Sequence, residues 1–180
     1  MSNPFDRSAG PASWAAARNS SSRRLRSIER VRAILAQGAA RYQRAAGYDT
    51  TIQYNSLIKF DITALSSSII SATVRLNAFN VNAGFTIYCH EVVGAWTEGA
   101  VTHNTLPAYD PVAISSVTQA GTGWYEFDIT ALYSAWKSGA KVNNGVIFRR
   151  PDGGVTFCQF RSSDYGTPAD RPMLRLLVAG

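Results

Sequence analysis

Phe60-Asp61-Ile62-Thr63-Ala64-Leu65 and Phe127-Asp128-Ile129-Thr130-Ala131-Leu132 are one hexapeptide written twice, and each copy closes a segment that alternates apolar with polar residues. Residues two apart on a strand point to one face, so the Phe and Ile of each copy share a buried face and the Asp between them takes the wet one. A short acidic or hydroxyl side chain ahead of Ala-Leu accepts a bond from a free backbone N–H and begins a helical turn. Each copy is therefore read as strand end, cap and turn. It marks a fold rather than a chemistry.

Working outward from the two copies, the same alternation recurs over residues 51–60, 69–79, 85–91, 112–117, 124–129, 145–149, 156–160 and 173–178. Turn signals separate these segments at 80–84, 121–123, 143–145 and 151–154. One helix is expected after the second copy, where Leu132 and Trp136 share a face and Gly139 stops the run. So many short strands at this spacing favour two packed layers of jelly-roll type. At 180 residues such a domain needs no metal or disulfide to hold it, since a chain of this size buries roughly two-thirds of its unfolded surface.

Charge divides the chain. Residues 1–47 carry nine Arg against Asp6 and Glu29, a net of +7, and because the whole chain stands at +6 the remainder is near neutral at −1. The first 22 residues are rich in Ser, Ala, Gly, Pro and Asn, with Trp14 as a large apolar anchor, and read as an extended lead. From Ser22 to about Ala46, Leu25, Ile28, Val31, Ile34, Leu35 and Tyr42 recur at three and four residues, so an amphipathic helix is expected, ending at Gly47. Arg23, Arg24, Arg26, Arg30 and Arg32 line its other side. The fold class expected is thus all-β: a jelly-roll-like β-sandwich over 48–180, with a basic N-terminal helical arm over 1–47. The apolar side of that arm, Leu25, Ile28, Val31, Leu35 and Tyr42, suits burial against the sandwich or a neighbouring subunit, and Arg23, Arg24 and Arg30 suit an acidic partner surface.

Several chemistries find little support. No apolar run is long enough to span a bilayer, and the N-terminus lacks the apolar core of a secretory signal. The two cysteines, Cys89 and Cys158, are too few for a disulfide framework and read as small apolar strand residues, able to pair only if their strands adjoin. His90 and His103 are the candidates for a histidine base, but neither has a Gly-flanked Ser or a reactive Cys beside it, so no enzyme is expected. No acidic loop has the dense oxygen spacing of a dedicated calcium site, and no cofactor is expected; a structural calcium ion stays open as a feature of some sandwich modules. Sugar binding needs exposed aromatic faces beside planar polar groups. Trp96, Tyr109, Trp124, Tyr125 and Tyr165 are the candidate rings, with Arg149, Arg150, Asp152 and Arg161 as partners for hydroxyls or acidic sugars.

Ile70-Ser71-Ala72-Thr73-Val74-Arg75-Leu76, the string from Trp96 to Pro107 with its Trp-x-Glu-x-x-Val-Thr-x-Asn-x-x-Pro spacing, Tyr125 to Thr130, Trp136, Asn144-Gly145 and Arg171-Pro172-Met173-Leu174 follow in the order of DNRLRE domains. Over about residues 52–178 the chain resembles that family. The resemblance implies a β-sandwich of the kind appended to secreted or cell-surface proteins, some of them carbohydrate-binding, and similar sandwiches build phage particles. The chain departs from the pattern at His103, where an aromatic residue is usual, and in its shortened opening strands, which the basic arm replaces. A sandwich missing an opening strand leaves an edge bare, and assembly with another chain would cover it.

Three functions follow. The leading expectation is a non-enzymatic virion component, a capsid decoration, fibre or tail protein that assembles as a homo-oligomer or with other virion subunits through its arm and displays the sandwich outward. The alternative is a carbohydrate-binding module of a secreted or cell-surface system, with a host-surface polysaccharide as partner. A jelly-roll capsid subunit whose arm holds nucleic acid comes third, because genome-binding arms need charge but no ordered apolar face.

Overall fold

A computed structural model describes residues 25–27, 34–36, 55–81, 84–102, 104–150 and 158–178. Its strands are β1 (Leu25–Ser27), β2 (Ile34–Ala36), β3 (Asn55–Lys59), β4 (Ile69–Val81), β5 (Thr86–Val92), β6 (Tyr109–Thr118), β7 (Gly123–Asp128), β8 (Val146–Arg149), β9 (Cys158–Phe160) and β10 (Met173–Val178), with a helix α1 (Thr130–Ser138) after β7. The first sheet runs β1-β10-β4-β7, with β9 also on β4, and the second runs β2-β3-β8-β5-β6. Every pairing is antiparallel. The jelly-roll-like sandwich expected from the alternation is the fold, and each of the eight expected strands has its counterpart.

Alternation builds the core. Along β4, Ala72, Val74, Leu76 and Ala78 are buried while Thr73, Arg75 and Asn77 point outward. Facing them from the second sheet are Ile58, Ile87, Cys89, Val146 and Phe148, and the Phe127 and Phe148 rings meet across the layers at 4.7 Å. Because Ala78 pairs with Gly123 of β7 and also with Phe160 of β9, those two strands lie on opposite edges of β4. So β9 and β10 continue one another along one edge, and residues 161–172 bulge out between them.

The two hexapeptides do the same local work. Asp61 Oδ1 accepts from Thr63 N at 3.0 Å, and Asp128 Oδ1 accepts from Thr130 N at 2.7 Å. Phe60, Ile62, Phe127 and Ile129 are buried, and both aspartates are exposed. The first copy ends in a turn and the second continues into α1, whose Leu132, Tyr133 and Trp136 plug one end of the sandwich. The copies also meet. Tyr133 donates its hydroxyl to Ser66 O at 2.7 Å, and Lys137 Nζ donates to Ile62 O at 3.1 Å, so the helix after the second copy is fastened to the turn of the first. Gly139, at φ 77°, ends α1 in the left-handed conformation, as a C-terminal glycine should.

The arm departs from its expectation. At Leu25–Ser27 and Ile34–Ala36, inside the stretch read as helix, the backbone is strand: β1 pairs with β10 through Leu25↔Leu177 to Ser27↔Arg175, and β2 pairs with β3 through Ile34↔Lys59 to Ala36↔Leu57. Helical periodicity is a weak local preference, and the unpaired N–H and C=O groups on the edges of β10 and β3 outweigh it. Those two edges are therefore covered by the chain itself, which removes the reason for expecting another subunit there. Arg23, Arg24, Ile28, Arg30, Val31 and Tyr42 lie outside the described residues.

Candidate functional site

The outward face of the first sheet gathers aromatic and planar charged side chains by register. Thr73, Arg75 and Asn77 of β4 stand opposite Asp128, Glu126 and Trp124 of β7, and Arg75 and Thr73 stand opposite Met173 and Arg175 of β10. Residues directly opposite share a face. Arg75 Nε lies 2.7 Å from Glu126 Oε1, and Arg175 approaches the same oxygen at 3.4 Å. The Arg75 guanidinium also sits 4.7 Å from the centre of the Trp124 ring and donates to Met173 Sδ at 3.7 Å. One indole face is thereby pinned by a cation.

The 161–172 bulge extends this face. Asn77 Nδ2 donates to Asp170 Oδ1 at 3.1 Å, and Arg161 Nε lies 3.8 Å from Asp170 Oδ2. The Arg161 guanidinium stacks 3.9 Å from the Tyr165 ring centre and 5.3 Å from that of Phe79, a ring left 46 % exposed. Arg171 Nε donates to Tyr165 O at 2.7 Å and holds the bulge in shape. Three rings and three guanidinium groups thus share one outward surface, each polar group already oriented by a partner. Such a surface offers apolar ring faces and fixed donors and acceptors at little ordering cost.

The second sheet is different, because a loop folds over its outward side. Leu57, Val92 and Ile147 form a small core there beneath Trp96, Val101, Leu106 and Tyr109. Trp96 Nε1 donates to Asn144 O at 2.7 Å, and Asn144 Nδ2 donates to Val93 O at 3.0 Å. Within the loop, Thr105 Oγ1 donates to Ala100 O at 2.7 Å and accepts from Thr102 N at 2.7 Å. The string from Trp96 to Pro107 is thus a lid with its own apolar anchor. Among the described residues its bonds are made by Thr102, Thr105 and Trp96.

Beyond the lid, the same outward side carries Asn55, Tyr88, His90, Tyr109 and Arg149. Arg149 lies opposite both Asn55 and Tyr88, and its guanidinium is 4.7 Å from the Tyr109 ring centre. Burial pushes the Arg149 pKa down. His90 is 6 % exposed, packs edge-on to Tyr109 at 5.6 Å and bonds Asp110 O through Nδ1 at 2.9 Å.

The ring set singled out by sequence is therefore divided. Trp124 and Tyr165 stand on the first-sheet face, Tyr109 and Arg149 on the second, and Trp96 is taken up by the lid. Tyr125 packs against the inner core, where its hydroxyl donates to Gly121 O at 2.5 Å and fixes the turn into β7. Arg150 lies over Phe85 at 4.9 Å. Asp152 and His103 lie outside the described residues. Sequence reading missed Arg75, Phe79, Glu126 and Arg175 as members of the face; the outward parity of Arg75 in the β4 alternation was the available signal.

Residues 40–176 match the family model described as carbohydrate-binding module family 96. The chain belongs to that family. The match takes in both hexapeptides, β3 to β9, α1 and the first four residues of β10, so both outward faces belong to the family 96 module, while β1 and β2 precede it. Comparison with curated proteins gives no match. The match places the chain among carbohydrate-binding β-sandwiches and favours the polysaccharide partner over the virion role.

Cys89 and Cys158 are free; burial pushes the Cys89 thiol far above its ordinary value and the Cys158 thiol up to about 12, so both stay protonated near neutrality. Among the described residues no three His, Cys, Asp or Glu side chains gather as a metal set. No helix among them is long and apolar enough to cross a membrane.

Proposed function

We propose that the protein is a non-catalytic, polysaccharide-binding module of the DNRLRE type, working at or outside a cell surface, and that the outward face of the first sheet is its contact surface. The observation that carries this reading is the conjunction of Trp124, Phe79 and Tyr165 with Arg75, Arg161 and Arg175 on one side of a sheet in a family 96 sandwich. Sugar rings present apolar C–H faces that stack on aromatic rings and hydroxyls that both donate and accept. The guanidinium groups supply donors, and Glu126 and Asp170 supply acceptors. Because the arginines are held by ion pairs and ring contacts, little side-chain freedom is lost when a glycan docks.

The arginines can donate to a hydroxyl, and to a sugar carboxylate through stronger, bidentate charge-assisted bonds. Affinity electrophoresis of the full chain through gels containing neutral or acidic polysaccharides tests the proposal. Retarded migration in at least one gel is expected, and unretarded migration in all of them overturns it. A virion or nucleic-acid role finds less support, because the arm that suggested it contributes strands to both sheets where it is described.

A further inference from the structure

Three buried polar atoms on the outward side of the second sheet have no hydrogen-bond partner: Asn55 Oδ1, His90 Nε2 and Arg149 Nε. They are not scattered. Asn55 and Arg149 are directly paired across β3 and β8, and Arg149 is paired with Tyr88, two residues from His90 on β5. Diagonal neighbours on one sheet face are within reach of long side chains. The Tyr109 ring joins the group from β6, touching both the His90 ring and the Arg149 guanidinium.

Buried polar atoms in folded proteins are nearly always paired, because leaving one unpaired costs stability. Other such atoms occur among the described residues, Trp136 Nε1 and Arg161 Nε for example, but these three fall together on strands adjacent in the sheet, and that grouping is what points to a ligand. Their chemistry is also specific. Asp110 O can only accept, so the Nδ1 that bonds it carries the ring hydrogen, and in the neutral ring Nε2 is a bare acceptor. The cluster thus offers two acceptors, His90 Nε2 and Asn55 Oδ1, and one donor, Arg149 Nε. Neighbouring hydroxyls of one sugar ring supply two donors and an acceptor. The Tyr109 ring closes the group off, and it sits at the start of β6, where the pairing with β5 shifts register between His90 and Val92. A ring at an irregular strand end can turn without disturbing the ladder.

We infer that Asn55, His90 and Arg149 form a second, small site for a hydroxylated ligand, a single neutral sugar ring, with the Tyr109 side chain as its movable cover. This site lies on the sheet opposite the proposed polysaccharide face and does not depend on that face binding anything.

The test uses the full chain and the methyl pyranosides of glucose, galactose and mannose as probes. The side-chain nitrogen resonances of His90 Nε2 and Arg149 Nε are followed by NMR in the wild type, in Trp124→Ala and in Asn55→Leu. Both resonances are expected to shift with at least one probe in the wild type and, equally, in Trp124→Ala. In Asn55→Leu the apparent affinity should fall about tenfold, the loss expected for one hydrogen bond to a buried partner. That variant should also melt no lower than the wild type, because it removes an unpaired acceptor. Stability kept while binding is lost is the signature of a functional polar group. Silence of both resonances with every probe in the wild type overturns the inference, whatever the variants do. So does an Asn55→Leu protein that is destabilised yet responds to sugar unchanged, since the atoms would then be satisfied by bound water as part of the fold.

Discussion

Gly145 shows how far one residue is constrained. Its φ is +84°, and a Cβ there would stand 2.2 Å from Ile58 O, inside the backbone of the neighbouring strand. Its own N–H donates to Asn143 Oδ1 at 3.1 Å, while Asn143 Nδ2 donates to Phe60 O at 2.9 Å, so the turn is tied to the first hexapeptide. Gly139 has a similar φ of +77° but open space where a Cβ would go. Gly145→Ala should therefore cost about 3 kcal/mol or more, from strain plus displaced backbone, and Gly139→Ala about 1 kcal/mol, from strain alone. Urea unfolding of both variants checks the contrast; equal losses would mean that the close approach at Ile58 is not what fixes Gly145. The Asn-Gly signal at 144–145 was legible in sequence as a turn. That it locks two strands together was not, because the clash involves a residue 87 positions earlier.

At the scale of elements, alternation and turn chemistry were enough to place the eight strands from β3 to β10 and the helix α1. They act between near neighbours, and each agrees with the tertiary packing. Two elements went differently for physical reasons. The 22–46 stretch has helical spacing, yet at β1 and β2 backbone pairing with bare sheet edges prevails. Trp96 looked like a sugar-stacking ring, and its role depends on a loop folding onto Leu57, Val92 and Ile147, which no local pattern encodes. Trp96→Phe should lower stability by about 2 kcal/mol, through the lost bond to Asn144 O and the smaller ring. Polysaccharide retention by the folded variant should be unchanged. Thermal unfolding and affinity electrophoresis read the two effects separately, and loss of retention in a stable protein would restore Trp96 to the binding surface.

The whole molecule is a sandwich whose two sheets face outward with different chemistries: an open aromatic and guanidinium surface on one side, a lid and a closed polar cluster on the other. The sequence held every residue of both surfaces but not the register that assembles them, since Arg75 meets Trp124 only through the pairing of β4 with β7. Whole-molecule packing also gives the basic arm a testable duty. Deleting residues 1–47 removes β1 and β2 and bares the edges of β10 and β3. Bare edges recruit other strands, so the truncated chain should show a larger mass by light scattering than the full chain at equal concentration. A truncated chain no more associated than the full one would deny the arm this edge-covering role.

Calorimetric titration of the full chain and of Trp124→Ala, with whichever polysaccharide retards the wild type, tests the first-sheet face most directly. Loss of one stacked ring should weaken binding about tenfold or more while the melting temperature stays within a few degrees, because Trp124 is only half-buried at the outer surface of β7. Unchanged affinity in the folded variant would contradict the account and move polysaccharide binding off the first sheet.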